Sequence, residues 1–160
     1  MHKARCKDGG GIEMGLKEEI AKLITDASTA IDKPMIEGTD FEIFYQPLNH
    51  EPSRLPNDKI AVYTFYYNGN FLKIGHANIK SKARYQSHHY HIKSCQSTLA
   101  NSLVTDPTME SIVNETNVTN WIKQNCERFD ILIDGNKHNK LTLNFVEGLL
   151  HYYYKPKYEK

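Results

Sequence analysis

The sequence predicts an α+β domain: a small, three-stranded antiparallel sheet flanked by helices, preceded by an N-terminal helical extension. Three observations carry this. Residues 61–66 and 70–75, two short runs rich in aromatic and β-branched side chains, flank Tyr67-Asn68-Gly69, and an Asn-Gly pair between such runs marks a hairpin. A third run, Phe129-Asp130-Ile131-Leu132-Ile133, is the best remaining strand and should join the hairpin's sheet. From Leu141 to Tyr154, one apolar stripe of Leu143, Val146, Leu149, Leu150 and Tyr153 has helical spacing.

In chain order, residues 1–13 carry three consecutive glycines and no periodicity, and read as a flexible leader or an expression remnant, with Met14 as a natural start. Residues 14–58 form the extension. Leu16, Ile20, Leu23, Ile24 and Ala27 space a helix from Gly15 to about Ile31, stopped by Lys33-Pro34. Phe41 to Tyr45 fits a short strand, and the proline-containing residues 47–58 a loop. This extension is the expected seat of specificity elements or a packing arm. Residues 59–160 form the main domain. After the hairpin, a polar stretch reads as a helix carrying Arg84 and His88, four apart and therefore on one face. An insertion follows at about residues 89–128: a short helix from Ser97 to Val104, a polar loop from Thr108 to Thr116, and a helix capped by Asn117 that runs through Trp121, Ile122 and Cys126.

Bulk properties narrow the function. The chain has 160 residues, enough for one domain with an extension. No apolar run approaches the roughly 18 residues of a membrane span, and no secretory signal is present. Three cysteines, Cys6, Cys95 and Cys126, argue against a disulfide framework or a Cys-based zinc site and favour a reducing cytoplasm. There the sequons at Asn114 and Asn117 would have no role. The formal net charge of +1 conceals an asymmetry. Residues 13–58 hold ten acids against four bases, whereas no Asp or Glu occurs between Asp58 and Asp106. That interval contains Lys59, Lys73, Lys80, Lys82, Arg84 and Lys93 with His76, His88, His89 and His91. A basic field interleaved with Tyr and His suits a polyanion such as nucleic acid, as well as a merely solvated face.

The hairpin, the following helix and the C-terminal helix together resemble the GIY-YIG endonuclease superfamily. Val62-Tyr63 stand where the first motif has Ile-Tyr, with Ala61 for its Gly; Lys73-Ile74-Gly75 stand where the second has Tyr-Ile-Gly. Arg84 follows Gly75 by nine residues, and His88 follows Arg84 by four, as in homing-type members. Glu147 heads EGLLHYYYKPKYE, which is similar to the family's closing Glu, hydrophobic helix and Pro-x-Tyr-Asn, with Pro156 and Tyr158 at the expected offsets and Glu159 replacing the Asn. A Lys-Ile-Gly branch among restriction-type members shares the Lys. The resemblance covers roughly residues 60–88 and 129–159 and explains neither the extension nor the insertion.

What the resemblance implies is a metal-dependent DNA endonuclease that hydrolyses phosphodiesters, restriction- or repair-like, with a homodimer required for a symmetric cut of duplex DNA. Glu147 would bind one Mg²⁺ or Mn²⁺, since hard cations accept carboxylate and water oxygens. Arg84 would clamp the scissile phosphate with its planar fork. Tyr63 would activate or orient the attacking water, although a phenol with a pKa of about 10 needs a cationic neighbour to ionise. Lys73 would be that neighbour or would share the base role. His76 and His88 are further candidates for proton transfer or phosphate contact, and Gly75 would allow close approach. Lys80, Lys82 and Lys93 suit nonspecific phosphate contacts. His89 and His91 receive no role from the pattern, and the histidines lack a closed zinc pattern. An RNase or structure-specific nuclease is the nearest alternative; a catalytically inactive nucleic-acid-binding module is the alternative from another class.

Overall fold

The computed structural model describes residues 12–93 and 98–159, the side chains of 12–14 aside. The leader reading, Cys6 and Cys95 fall outside the described residues or on the backbone of the first helical turn. Among the described residues no helix is long and apolar enough to cross a membrane.

The class is α+β, but the sheet has four strands, not three. Helix α1 (Ile12–Ala30) leads to β1 (Phe41–Gln46), then the hairpin of β2 (Lys59–Tyr67) and β3 (Asn70–Ala77). Short helices α2 (Lys82–Gln86), α3 (Leu99–Thr105) and α4 (Val118–Asn125) precede β4 (Arg128–Asp134) and α5 (Lys140–Tyr154). All pairings are antiparallel in the order β1-β4-β2-β3. The extra strand comes from the extension. β1 pairs along its whole length with β4, from Phe41 opposite Ile133 to Gln46 opposite Arg128. An exposed outer edge on β4 would leave its backbone donors and acceptors unpaired, and β1 satisfies them.

The hairpin turn is set locally. Asn68 and Gly69 both take positive φ (48° and 84°), the two-residue geometry whose twist matches the flanking strands. A register shift between Phe65 and Tyr66 places a bulge in the hairpin.

Two cores cover the sheet's faces. On one, Ile60, Val62, Ile74, Ile131 and Ile133 pack with Ile20 and Ile24 of α1 and Leu143, Val146 and Leu150 of α5. On the other, Ala61, Tyr63, Phe65 and Leu132 pack with Tyr85, Leu99, Leu103, Trp121 and Ile122 of α2–α4. The extension is therefore built into the domain rather than appended to it. Alternation along β2 and β3 sends neighbours to opposite faces, so Tyr63 and Val62 belong to different cores.

Three local readings are corrected. Arg84 and His88 do not share one helix: α2 ends at Gln86, Ser87 leaves helical geometry (φ −132°), and His88 begins a separate 3₁₀ turn through Tyr90. Asn117 precedes α4 without capping it; its side chain instead accepts from the Asn114 N–H (2.8 Å) and donates to the Ile112 carbonyl (3.0 Å). Tyr153 is exposed, and Tyr154 does the packing, its ring 4.6 Å from Phe71 and its hydroxyl donating to Glu19 (2.9 Å).

Candidate functional site

The candidate residues gather around β3, the outer strand at the hairpin end of the sheet. Tyr63 lies opposite Gly75 in the register. A Cβ on Gly75 would stand 2.4 Å from the Tyr63 hydroxyl oxygen and 2.6 Å from Cζ. The glycine is thus a steric requirement: only without a side chain there does the Tyr63 ring lie flat across β3. The next residue, His76, points to the other face, where its Nδ1 bonds Glu147 Oε2 from α5. His151, one turn further along α5, donates through Nε2 to the Ile74 carbonyl (2.7 Å) and lies 3.8 Å from Glu147 Oε1. Glu147 is therefore positioned by β3 and not adrift on the helix surface; its side chain remains 22% exposed.

Tyr63 and Glu147 approach β3 from opposite faces. They share no hydrogen bond, but the two are electrostatically linked. Burial pushes the Tyr63 hydroxyl well above the ordinary phenol range; Arg84 and Arg128 pull it down, while Glu147 and Glu159 push it further up. Arg84 is exposed on α2 and forms no salt bridge among the described residues, leaving its guanidinium available to an anion. Lys80, Lys82 and Lys93 are likewise exposed, with Lys82 reaching Asn57 (3.4 Å).

Lys73 and Glu159, the two side chains that differ most from the family pattern, meet. Lys73 Nζ lies 2.9 Å from Glu159 Oε1, so the lysine offers its ammonium to Glu159 rather than to Tyr63. The C-terminal segment is held along β3 to make this contact: Lys157 and Tyr158 donate backbone N–H groups to the carbonyls of Phe71 and Leu72, each at 3.0 Å. Asp106 anchors the same segment, 2.8 Å from Lys157 Nζ and accepting from the Tyr158 hydroxyl at 2.7 Å. Beside it a cleft is lined by Gly148, His151, Tyr152, Lys155, Pro156 and Glu159.

The residue that the sequence pattern passes over is His89. It is 4% exposed, and its Nε2 lies 2.6 Å from the Tyr63 hydroxyl oxygen. Its Nδ1 accepts the backbone N–H of Leu99 at 3.2 Å. Burial, followed by the charges of Lys73 and Arg128, lowers its pKa to about 3, which keeps the ring neutral. No spacing rule would have found it, because its partners are the Tyr63 hydroxyl, 26 residues earlier on β2, and the Leu99 backbone at the start of α3.

Among the described residues, no group of three or more His, Cys, Asp or Glu is arranged to hold a metal, so no closed protein cage is built there. Glu147, a partly exposed carboxylate whose ion-pair partners among the described residues are the imidazoles of His76 and His151, could hold one hard cation that keeps most of its waters. Comparison with family models, with curated proteins and with solved structures returned no match for this chain.

Proposed function

We propose that the chain is a divalent-metal-dependent DNA endonuclease of the GIY-YIG type. The observation that carries this reading is that the outer strand β3 bears both groups: Tyr63 is laid across Gly75 on one face, on the side of α2 and its exposed Arg84, and Glu147 is bound to His76 on the other. A phosphodiester hydrolase needs a water-activating group, a phosphate clamp and a carboxylate for a cation within one neighbourhood.

In this reading Arg84 grips the non-bridging oxygens of the scissile phosphate. Tyr63, after losing its proton to solvent, takes a proton from the attacking water as the water oxygen bonds phosphorus. The bond from phosphorus to the leaving sugar oxygen breaks, and that oxygen is protonated by solvent. Mg²⁺ or Mn²⁺ held through Glu147 would neutralise charge on the phosphoryl group. His76 orients the carboxylate, and the Lys73–Glu159 pair fixes the C-terminal segment beside the site. Lys80, Lys82 and Lys93 contribute sequence-independent attraction to the backbone. Duplex cleavage on both strands calls for a homodimer.

The burial of Tyr63 (3% exposed) favours a second reading, a module that binds nucleic acid without cutting it, since a buried phenol resists ionisation. Incubation of the protein with supercoiled plasmid and with structured RNA, in Mg²⁺ or chelator, separates the readings. Metal-dependent nicking that falls by at least about 100-fold in Glu147→Ala and Arg84→Ala supports the nuclease. Binding with no cleavage in Mg²⁺ or Mn²⁺ would leave the passive module. Cleavage confined to RNA would reassign the substrate.

A further inference from the structure

We propose that His89 is a positioning residue that holds Tyr63 as a hydrogen-bond acceptor, leaving the phenol's own proton uncommitted so that it can be lost before the phenolate takes a proton from the attacking water. This rests on the nuclease reading for its functional meaning, but the bond itself follows from geometry alone.

The direction of the bond is forced. A backbone N–H can only donate, so the Leu99 N–H, 3.2 Å away, requires a lone pair on His89 Nδ1. The opposite tautomer would set two N–H groups against each other. A neutral imidazole with Nδ1 bare carries its proton on Nε2, and that proton points at Tyr63 Oη, 2.6 Å distant. Tyr63 therefore accepts, and its hydroxyl proton has no second partner among the described residues. The ring of His89 is locked by Tyr63 and Phe65, with centroids at 5.0 and 5.8 Å. Because Leu99 opens α3 within the insertion, the insertion acts through His89 on the hairpin tyrosine.

A donor aimed at the phenol oxygen favours its anionic form and offsets part of the cost of burial. It joins the charges that act on Tyr63 from the neighbouring elements: Arg84 from α2 and Arg128 from β4 assist, while Glu147 from α5, across β3, and Glu159 from the C-terminal segment oppose. Lys73 and His88 act on His89 itself, favouring its neutral form. His89 differs from the arginines in having a fixed direction and no charge.

Two measurements test this. In the full-length protein, ¹⁵N-histidine NMR should show His89 neutral from pH 5 to 9 with its proton on Nε2; a proton on Nδ1 overturns the proposal whether or not the protein cuts DNA. The second is the pH profile of Mg²⁺-dependent plasmid cleavage for the wild type, His89→Phe and His89→Gln. Phe fills the space without a donor, and should move the ascending limb up by about one pH unit and slow cleavage about tenfold at fixed pH below it. Gln, whose amide nitrogen can donate to Oη, should return the limb toward its original position. A slower His89→Phe enzyme with an unmoved limb, or a Gln variant that behaves like Phe, would reduce His89 to packing. Failure of the wild type to cleave under any metal sinks the nuclease reading and leaves the tautomer result standing.

Discussion

Two buried polar clusters share one face of the sheet and are built to opposite ends. Around Arg128 and Asp130, both 0% exposed, the Asp130 carboxylate takes the Thr64 N–H (3.0 Å), the Gln46 amide (2.8 Å) and the Arg128 Nε–H (3.3 Å), with Arg128 Nη2 at ion-pair distance (3.0 Å). Arg128 in turn donates to the Tyr85 carbonyl (3.2 Å) and the Tyr90 hydroxyl (3.1 Å). Next to it, with Arg128 6.0 Å from the Tyr63 ring centroid, stands the Tyr63–His89 pair. It is neutral, and one hydroxyl proton in it is uncommitted. The Asp130 carboxylate, with donors from β1, β2 and β4, ties three strands together, and around it His50 Nδ1, Tyr85 Oη and Arg128 Nη2 are buried with no hydrogen-bond partner among the described residues. An acceptor held by one directed bond, at the edge of the sheet, retains the capacity for chemistry. Burial alone does not separate a structural polar group from a reactive one, and neither does the count of unpaired atoms; what differs here is that one cluster is an ion pair joining three strands and the other a neutral pair lying over the outer strand β3.

The sharpest way to break the comparison is to remove the carboxylate from the ion-paired cluster. Asp130→Ala strands Arg128 in the core and should cost about 3–5 kcal/mol in urea denaturation; a loss below about 1 kcal/mol would mean that the pair is not the structural element described. Gly75→Ala strikes the neutral cluster. Its Cβ would need to displace the Tyr63 ring from His89, at a cost of about 1–3 kcal/mol. In a Tyr63→Ala background that penalty should vanish, since the colliding ring is gone, and an additive double-mutant cycle would show the clash to be relieved elsewhere.

Each cluster also contains a buried neutral histidine, which gives both an acid sensitivity. His50, 2.6 Å from the Tyr90 hydroxyl, is lowered to about 4 by burial and then by Arg128; His89 is lowered to about 3. Unfolding restores an ordinary pKa near 6.5, so between about pH 6.5 and 4 the unfolded chain binds protons that the folded one refuses. Stability should therefore fall with decreasing pH through that window, by about 1.4 kcal/mol per pH unit for each histidine. His89→Gln should remove one proton from the slope and leave the His50 contribution; a slope unchanged by that substitution would show His89 accessible to protons. The smallest effect belongs to the partly buried pair outside both clusters, its side chains 11% and 24% exposed. Lys73→Met and Glu159→Gln should couple by about 0.5–1 kcal/mol in a double-mutant cycle, with zero coupling indicating that the C-terminal segment is held by its backbone bonds alone.

Much of the local structure was written in the sequence. The Asn68-Gly69 turn, the strands around it, the two long helices and the Phe129 strand depend on conformational preferences and on side-chain period, which act over a few residues. The fourth strand was legible as Phe41–Tyr45 but not as a member of the sheet: any strand edge offers the same backbone groups, so nothing local tells β1 to lie beside β4, with β4 inserted next to the hairpin. The site shows the same division. Tyr63, Gly75, Arg84 and Glu147 were singled out by the resemblance of their motifs, in order and spacing, to the GIY-YIG superfamily. Their arrangement was not, because the pleat sends Tyr63 and His76 to opposite faces and brings Glu147 to the histidine.

What the sequence determined by itself is the list of chemically capable side chains and the elements that carry them, since composition and periodicity are properties of short stretches. Only the tertiary structure decided who meets whom. Lys73 finds Glu159 across 86 residues and Tyr63 finds His89 across 26, contacts fixed by how the chain closes on its core. The tautomer of His89 is decided later still, by a single backbone N–H that the fold delivers to its other nitrogen.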